Sequence, residues 1–226
     1  MDAFTIKFIA IICMTLDHVK WFFPNLVNPY TMYFGRVAFP LFAFMIGEGY
    51  RHTKNLPKYF LRLTVWGLIS VVPFFFIEEK IGQGYKTVNI YATLILGLLA
   101  ITAFDKFGKK YYLSIPLVAL AIYLGHLIKV DYGWYGVALV FAFYVLKDKK
   151  VLSIIIIFIL GILRMMASDV DLKSPVMITY LIFMTIIPTI VTFFYNGERG
   201  FKIKHLFYAF YPLHFCILEI LYRIIN

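Results

Sequence analysis

The chain has 226 residues, 62% of them hydrophobic and 15% charged, with 22 basic and 12 acidic side chains and a mean hydropathy of +0.83. A water-soluble domain carries about 25% charged residues and roughly half apolar ones, so this composition leaves too little polar surface to face water. It excludes a soluble globular domain and predicts one integral membrane domain over residues 1–226, since about 20 residues per spanning helix leave no room for a separate soluble unit.

Aromatics at 19% and apolar runs far longer than the roughly ten-residue alternating strands of a barrel predict an all-α, polytopic transmembrane helical bundle. The net charge of +10 resides in short inter-helix loops without aromatic interleaving, which excludes nucleic acid as a partner and makes the lipid bilayer the expected one. Cys13 and Cys216 lie inside apolar runs and read as buried small hydrophobes. There is no HExxH and no paired CxxC, so no metal is expected.

In chain order, the predicted spans are Thr5 to Phe23, Tyr33 to Tyr50, Tyr59 to Ile77, Asn89 to Phe104, Tyr111 to Lys129, Tyr135 to Leu146, Val151 to Met166, Val176 to Tyr195 and His205 to Ile225, about nine in all. The first carries Asp17 and His18 and lacks a small-residue cleavage site, so it reads as a retained helix and not a signal peptide. Breaks fall at Pro, Gly or charge clusters such as Asp105 to Lys110 and Lys147 to Lys150. With the N-terminus in the cytoplasm, 14 of the 22 basic residues fall in inner loops or at inner span ends. That asymmetry predicts N-terminus in, C-terminus out. Glycines around Gly82 and the DYGWYG segment at Asp131 read as turns, the latter with His126 at the outer interface.

Ionisable groups inside spans are expensive and mark candidate functional sites. At 1.5 Å per residue, His18 lies about 20 Å up the first span, Arg36 about 5 Å below the outer face, Arg164 about 20 Å up the seventh span and His214 about 14 Å up the last. These groups converge on one layer, with Glu48, Arg51 and His52 forming a second at the inner end of span two. Asp17 and His18 point about 100° apart, so Asp17 is predicted to pair with Arg36 and His18 to take its partner from another helix. A helix-pinning salt bridge and a catalytic role are both open for the Asp17–Arg36 pair. Tyr211 and His214 share a face beside Pro212, whose missing N–H frees a backbone carbonyl. Glu219 and Arg223, four apart, read as a surface helix pair.

The chain resembles the TraX family in LDH at Leu16 to His18, GRVAFPLFAFMIGEGYRHT from Gly35 to Thr53, Tyr59 with Arg62 and Leu63, Asn89 with Thr93 and Leu94, DYG at Asp131, and YNGERGFKIKHLFYAFYPLH from Tyr195 to His214. It departs from the family pattern after the third span, where Ser70, Pro73 and Phe74 stand without a polar residue near 71 or an acid near 75. The resemblance implies a membrane acyltransferase of the bacterial cytoplasmic membrane that uses cytosolic acetyl-CoA. Its intramembrane catalytic histidine would be His18, with Asp17, Arg36 and His214 around it. The acceptor, a peptide such as a pilin N-terminus, a glycan or a lipid, would enter from outside. Acetyl-CoA carries about four phosphate charges, for which Arg51, His52, Lys54, Arg199, Lys202 and Lys204 are the candidate inner-face partners. Arg36 or Arg164 would stabilise a tetrahedral oxyanion. His18 as general base and His18 as acyl carrier both stay open. Two other classes fit the buried charges: a small proton-coupled transporter or flippase, against which stand the missing repeats and the lack of paired broken helices, and a membrane scaffold of a secretion or conjugation apparatus.

Overall fold

The computed structural model describes the chain apart from Pro29, Ile81, residues 83–86, Lys109, residues 168–173, residues 202–203 and Asn226, together with the side chain of Lys204. Among the described residues it is all helical: α1 (Ala3–Phe22), α2 (Thr31–His52), α3 (Leu56–Ile69), α4 (Val71–Lys80), α5 (Ile90–Phe107), α6 (Tyr111–Leu127), α7 (Gly133–Val145), α8 (Lys150–Met166), α9 (Pro175–Met184), α10 (Ile186–Phe193) and α11 (Lys204–Ile225). Side chains that accept orphan N–H groups start several of these helices. Asp2 caps α1 through Thr5 N at 2.8 Å, Asn55 caps α3 through Lys58 N at 2.9 Å, and Asn89 caps α5 through Tyr91 N at 3.1 Å.

The packing is arranged for lipid outside and polar groups inside. On α8 the buried positions Ser153, Ile157, Gly161 and Met165 form a four-residue stripe, while Val151, Ile155, Ile159 and Leu163 face outward. A Cβ on Gly161 would lie 2.4 Å from Thr185 Cγ2, so the missing side chain lets α8 approach the start of α10. Likewise, α6 buries Ser114, Val118, Ala121 and Gly125 and exposes Ile115, Leu120 and Tyr123. The hub is α2, which packs against α1, α5, α7, α9 and α10. Its stretch from Val37 to Glu48 is buried except for the half-buried Phe42. A helix that is apolar on every side is one enclosed by protein.

Two of the nine predicted segments are interrupted. Tyr59 to Ile77 divides at Ser70 into α3 and α4, bent by 52°, and Val176 to Tyr195 divides at Thr185 into α9 and α10. Pro73 and Pro188 each follow the break by three residues and remove the N–H that would reach the residue four before. The Ser70 hydroxyl donates to Trp66 O at 2.6 Å and the Thr185 hydroxyl to Leu181 O at 2.7 Å, which favours the local departure from the helical ladder. The sequence-based expectation of no broken helices is thereby corrected. Among the described residues, three helical stretches are long and apolar enough to cross a membrane: α5, the α9–α10 run Pro175–Phe193, and His205–Ile225. The α3–α4 pair makes a fourth. The expected nine are not reached on that measure, because α6 and α7 are apolar but short and α1 and α2 carry charges that turn inward.

Candidate functional site

The inward charges line a cavity of about 940 Å³. It touches α1 from Ala3 through Lys7, Met14, Asp17 and His18 to Trp21. That is about 27 Å at 1.5 Å per residue, close to the roughly 30 Å thickness of a bilayer core. One end is lined by His52, Lys54 and Arg199, and the other by Thr87, Asp131 and Arg164.

About 21 Å along α1 from Ala3, toward the Asp131 end of this cavity, the α1–α2 pair presents Asp17 and Arg36. Arg36 Nη2 donates to Asp17 Oδ2 at 2.7 Å, and Arg36 Nη1 donates to the Tyr180 hydroxyl at 2.9 Å. The close approach depends on Gly35, where a Cβ would fall 2.3 Å from Asp17 Cβ. Asp17 Oδ1 is buried and has no hydrogen-bond partner. Such an oxygen costs free energy unless a ligand or proton meets it.

Beside this pair, His18 Nδ1 lies 2.7 Å from His214 Nε2, and His214 Nδ1 lies 2.9 Å from the Phe210 carbonyl. A carbonyl can only accept, so His214 carries its hydrogen on Nδ1 and, when neutral, accepts at Nε2. His18 must then donate from Nδ1. The remaining nitrogen of His18, Nε2, is left with a lone pair on a side chain that lines the cavity. His214 itself is 4% exposed and does not line the cavity, so it acts through His18. Phe215 and Phe210 hold the two rings, with centroids 4.7 Å from His18 and 5.3 Å from His214. Pro212 frees the Tyr208 carbonyl, and Tyr91 takes it up through its hydroxyl at 2.8 Å, anchoring this part of α11 to α5.

The structure thus brings His18, His214, Asp17 and Arg36 together, and Arg164 lines the same cavity. Of the inner-face candidates, His52, Lys54 and Arg199 line the mouth. Arg51 does not. It donates to the Tyr144 carbonyl, stacks 4.4 Å over the Tyr144 ring and lies 3.6 Å from Glu48. Lys202 lies outside the described residues, as does the side chain of Lys204. Glu48 meets Lys147 at 2.7 Å and His52 at 3.6 Å, which makes the second polar layer a clamp between α2 and the end of α7. The Glu219–Arg223 pair is present at 2.7 Å, but Glu219 is buried and also faces Lys80 at 3.8 Å, so it is not the surface pair expected.

Several site residues escaped the sequence reading. Tyr180 has no signal beyond a hydroxyl in an apolar segment. Asp131 was placed in an outer interface loop, but its turn folds inward. Val88 N donates to Lys129 O at 3.0 Å, Asp131 N to Val88 O at 2.7 Å, and the Thr93 hydroxyl to Asp131 O. Lys129 at φ 52° and Tyr132 at φ 64° adopt the left-handed backbone this turn requires. Facing an enclosed cavity and not bulk water, the Asp131 carboxyl is pushed up to about 6. Tyr132 stacks on Phe39 with centroids 4.0 Å apart and lines the cavity near Arg36.

An apolar helical bundle with a long cavity beside a histidine pair and a buried ion pair has the features of a membrane protein, in which ionisable groups turned inward mark candidate functional sites. The model of the TraX protein family matches residues 3–222, and the chain belongs to that family. A curated relative from Dichelobacter nodosus, named a probable fimbrial assembly protein FimC of serogroup H1, is 29% identical over 234 residues, covering 96% of this chain and 94% of its own. No solved structure matches.

Proposed function

We propose that this protein is a polytopic acyltransferase of the bacterial cytoplasmic membrane that moves an acetyl group from cytosolic acetyl-CoA to an extracytoplasmic acceptor, a pilin-like peptide N-terminus being the leading candidate. The observation that supports the reading is the hydrogen-bond chain from His18 through His214 to the Phe210 carbonyl, which leaves His18 Nε2 a lone pair on a side chain lining a cavity whose mouth is basic. In the proposed topology the helical segments make nine crossings, with the two interrupted pairs counted as one crossing each, N-terminus inside and C-terminus outside.

The donor thioester enters from the His52, Lys54 and Arg199 end, and the acceptor from the Asp131 end. His18 Nε2 takes the proton of the acceptor N–H or O–H as its heteroatom forms a bond to the thioester carbonyl carbon. The resulting oxyanion is stabilised by Arg36, whose geometry Asp17 and Tyr180 fix, with Arg164 in the same chamber. Collapse breaks the carbon–sulfur bond, and the thiolate recovers the proton from His18. Support for an acceptor related to fimbriae comes from the name of the Dichelobacter nodosus relative.

The test is incubation of the purified protein with labelled acetyl-CoA and three acceptor classes, namely envelope peptides, glycans and lipids, with CoA-dependent melting measured in parallel. Label transfer to one class and a rise in melting temperature with CoA are expected. Absence of both rejects the reading. The transporter reading gains from the bent α3–α4 pair, since broken spans build central sites in transporters. Proton-coupled solute uptake into vesicles, without acetyl transfer, is the result that favours it.

A further inference from the structure

We infer that Arg62 and Lys7 form an internal subsite for the first phosphate of a phosphopantetheine thioester, between the cavity mouth and His18. The inference rests on the acyl-transfer reading above and assigns a role to two residues counted in the sequence only as inner-face charges.

Arg62 lines the cavity from α3, and its Nε is buried without a hydrogen-bond partner. The guanidinium stands over the Tyr59 ring, 5.4 Å from its centroid, beside the Tyr208 hydroxyl. Tyr59 is itself buried, and a Cβ on Gly49 would fall 2.4 Å from its hydroxyl, so this platform is held between α2 and α3. A buried N–H left unmet is costly, and a guanidinium with an open donor edge suits a phosphate oxygen. The local charge balance agrees. Among the described residues no carboxylate forms an ion pair with Lys54, Arg62 or Arg199, while Glu48, the acid that lines this end of the cavity, is paired with Lys147, Arg51 and His52.

Lys7 belongs to the same level. Its Nζ lies 5.5 Å from the centre of the Phe207 ring, and Phe207 adjoins Tyr208 on α11. Lys7 is eleven residues before His18, about 16 Å along α1, and Phe207 is seven before His214, about 10 Å along α11. The arm joining a thioester sulfur to the first phosphorus is about thirteen bonds long, which at roughly 3.5 Å per three bonds of extended chain spans about 15 Å. With the carbonyl at His18, an extended or gently bent arm delivers its phosphate to Lys7 and Arg62. Lys54 and Arg199 at the mouth are left for the rest of the nucleotide.

The experiment compares acetyl thioesters of pantetheine, 4′-phosphopantetheine and CoA as donors for the full-length protein. Wild type is expected to favour the phosphopantetheine thioester over the pantetheine one by about tenfold or more in kcat/KM, the worth of a charge-assisted hydrogen bond. In Arg62→Gln that preference falls to near unity through KM, the preference for CoA over phosphopantetheine is kept, and Arg62→Lys restores part of the loss. Lys7→Gln gives the same pattern and serves where Arg62→Gln does not fold. A merely structural arginine would lower use of all three donors alike. Retention of the wild-type phosphate preference in either active glutamine variant overturns the subsite alone. Failure of the wild type to use any of the three donors sinks the acyl-transfer reading and the subsite together.

Discussion

Two polar layers, one at the exposed inner end of α2 around the buried Glu48 and one within the bundle around His18, behave differently as chemistry. At the inner end Glu48 is met by Lys147, Arg51 and His52, while Asp105 accepts from the Tyr50 and Tyr144 hydroxyls at 3.0 and 3.3 Å. Ion pairs and hydrogen bonds there tie α2, α5 and α7 together, and Glu48 Oε2 is left buried without a hydrogen bond. In the layer around His18, Asp17 Oδ1 likewise has no partner, and His18, which lines the cavity, keeps Nε2 outside its hydrogen bond to His214. Buried charge by itself therefore says little about function. The informative difference is the ring-nitrogen lone pair that His18 keeps on a side chain lining the cavity.

The largest expected effect is at the unspent nitrogen. His18→Ala removes the base and is expected to lower the rate of acetyl transfer by about 10²- to 10⁴-fold, the usual share of general base catalysis, with the protein still folded. Wild-type transfer by purified His18→Ala would erase the distinction between the two layers. Next, Arg36→Met strands Asp17 as a buried unpaired carboxylate and is expected to cost about 3–5 kcal/mol of stability as well as activity, read by chemical denaturation in detergent. Asp17→Asn in the same background should recover part of the stability and none of the activity. A smaller loss of about 1–3 kcal/mol is expected for Gly35→Ala, since the added methyl must push Asp17 away and separate α1 from α2. The smallest change belongs to the inner layer. Asp105→Ala should cost about 1 kcal/mol in stability and leave kcat unchanged, and a kcat loss beyond about threefold would show that the clamp takes part in turnover.

Much of the fold was legible because membrane helices announce themselves by apolar length and by charges at their ends. All nine predicted segments coincide with helical stretches. The two interruptions were missed because proline alone does not mark them: Pro40, Pro116 and Pro212 sit inside unbroken helices. What separates Pro73 and Pro188 is a hydroxyl residue three positions earlier, Ser70 and Thr185, able to bond back to a carbonyl. In the site, Asp17 with Arg36 was readable because a short hairpin joins their helices. Tyr180 lies 144 residues from Arg36 and His214 lies 196 from His18, and no spacing within one helix encodes how distant helices rotate against each other. Asp131 was misread because only the tertiary hydrogen bonds to Val88 and Thr93 draw its turn inward.

The enclosure of α2 has a consequence for biogenesis. It precedes α5, α7, α9 and α10 in the chain, so it is synthesised before they exist to surround it, and it carries Arg36 and Glu48. Asp17 on the helix just made is the counter-ion at hand. In the proposed topology Arg36 would therefore enter the bilayer already paired with Asp17, its charge offset while the remaining walls of the cavity are still being translated.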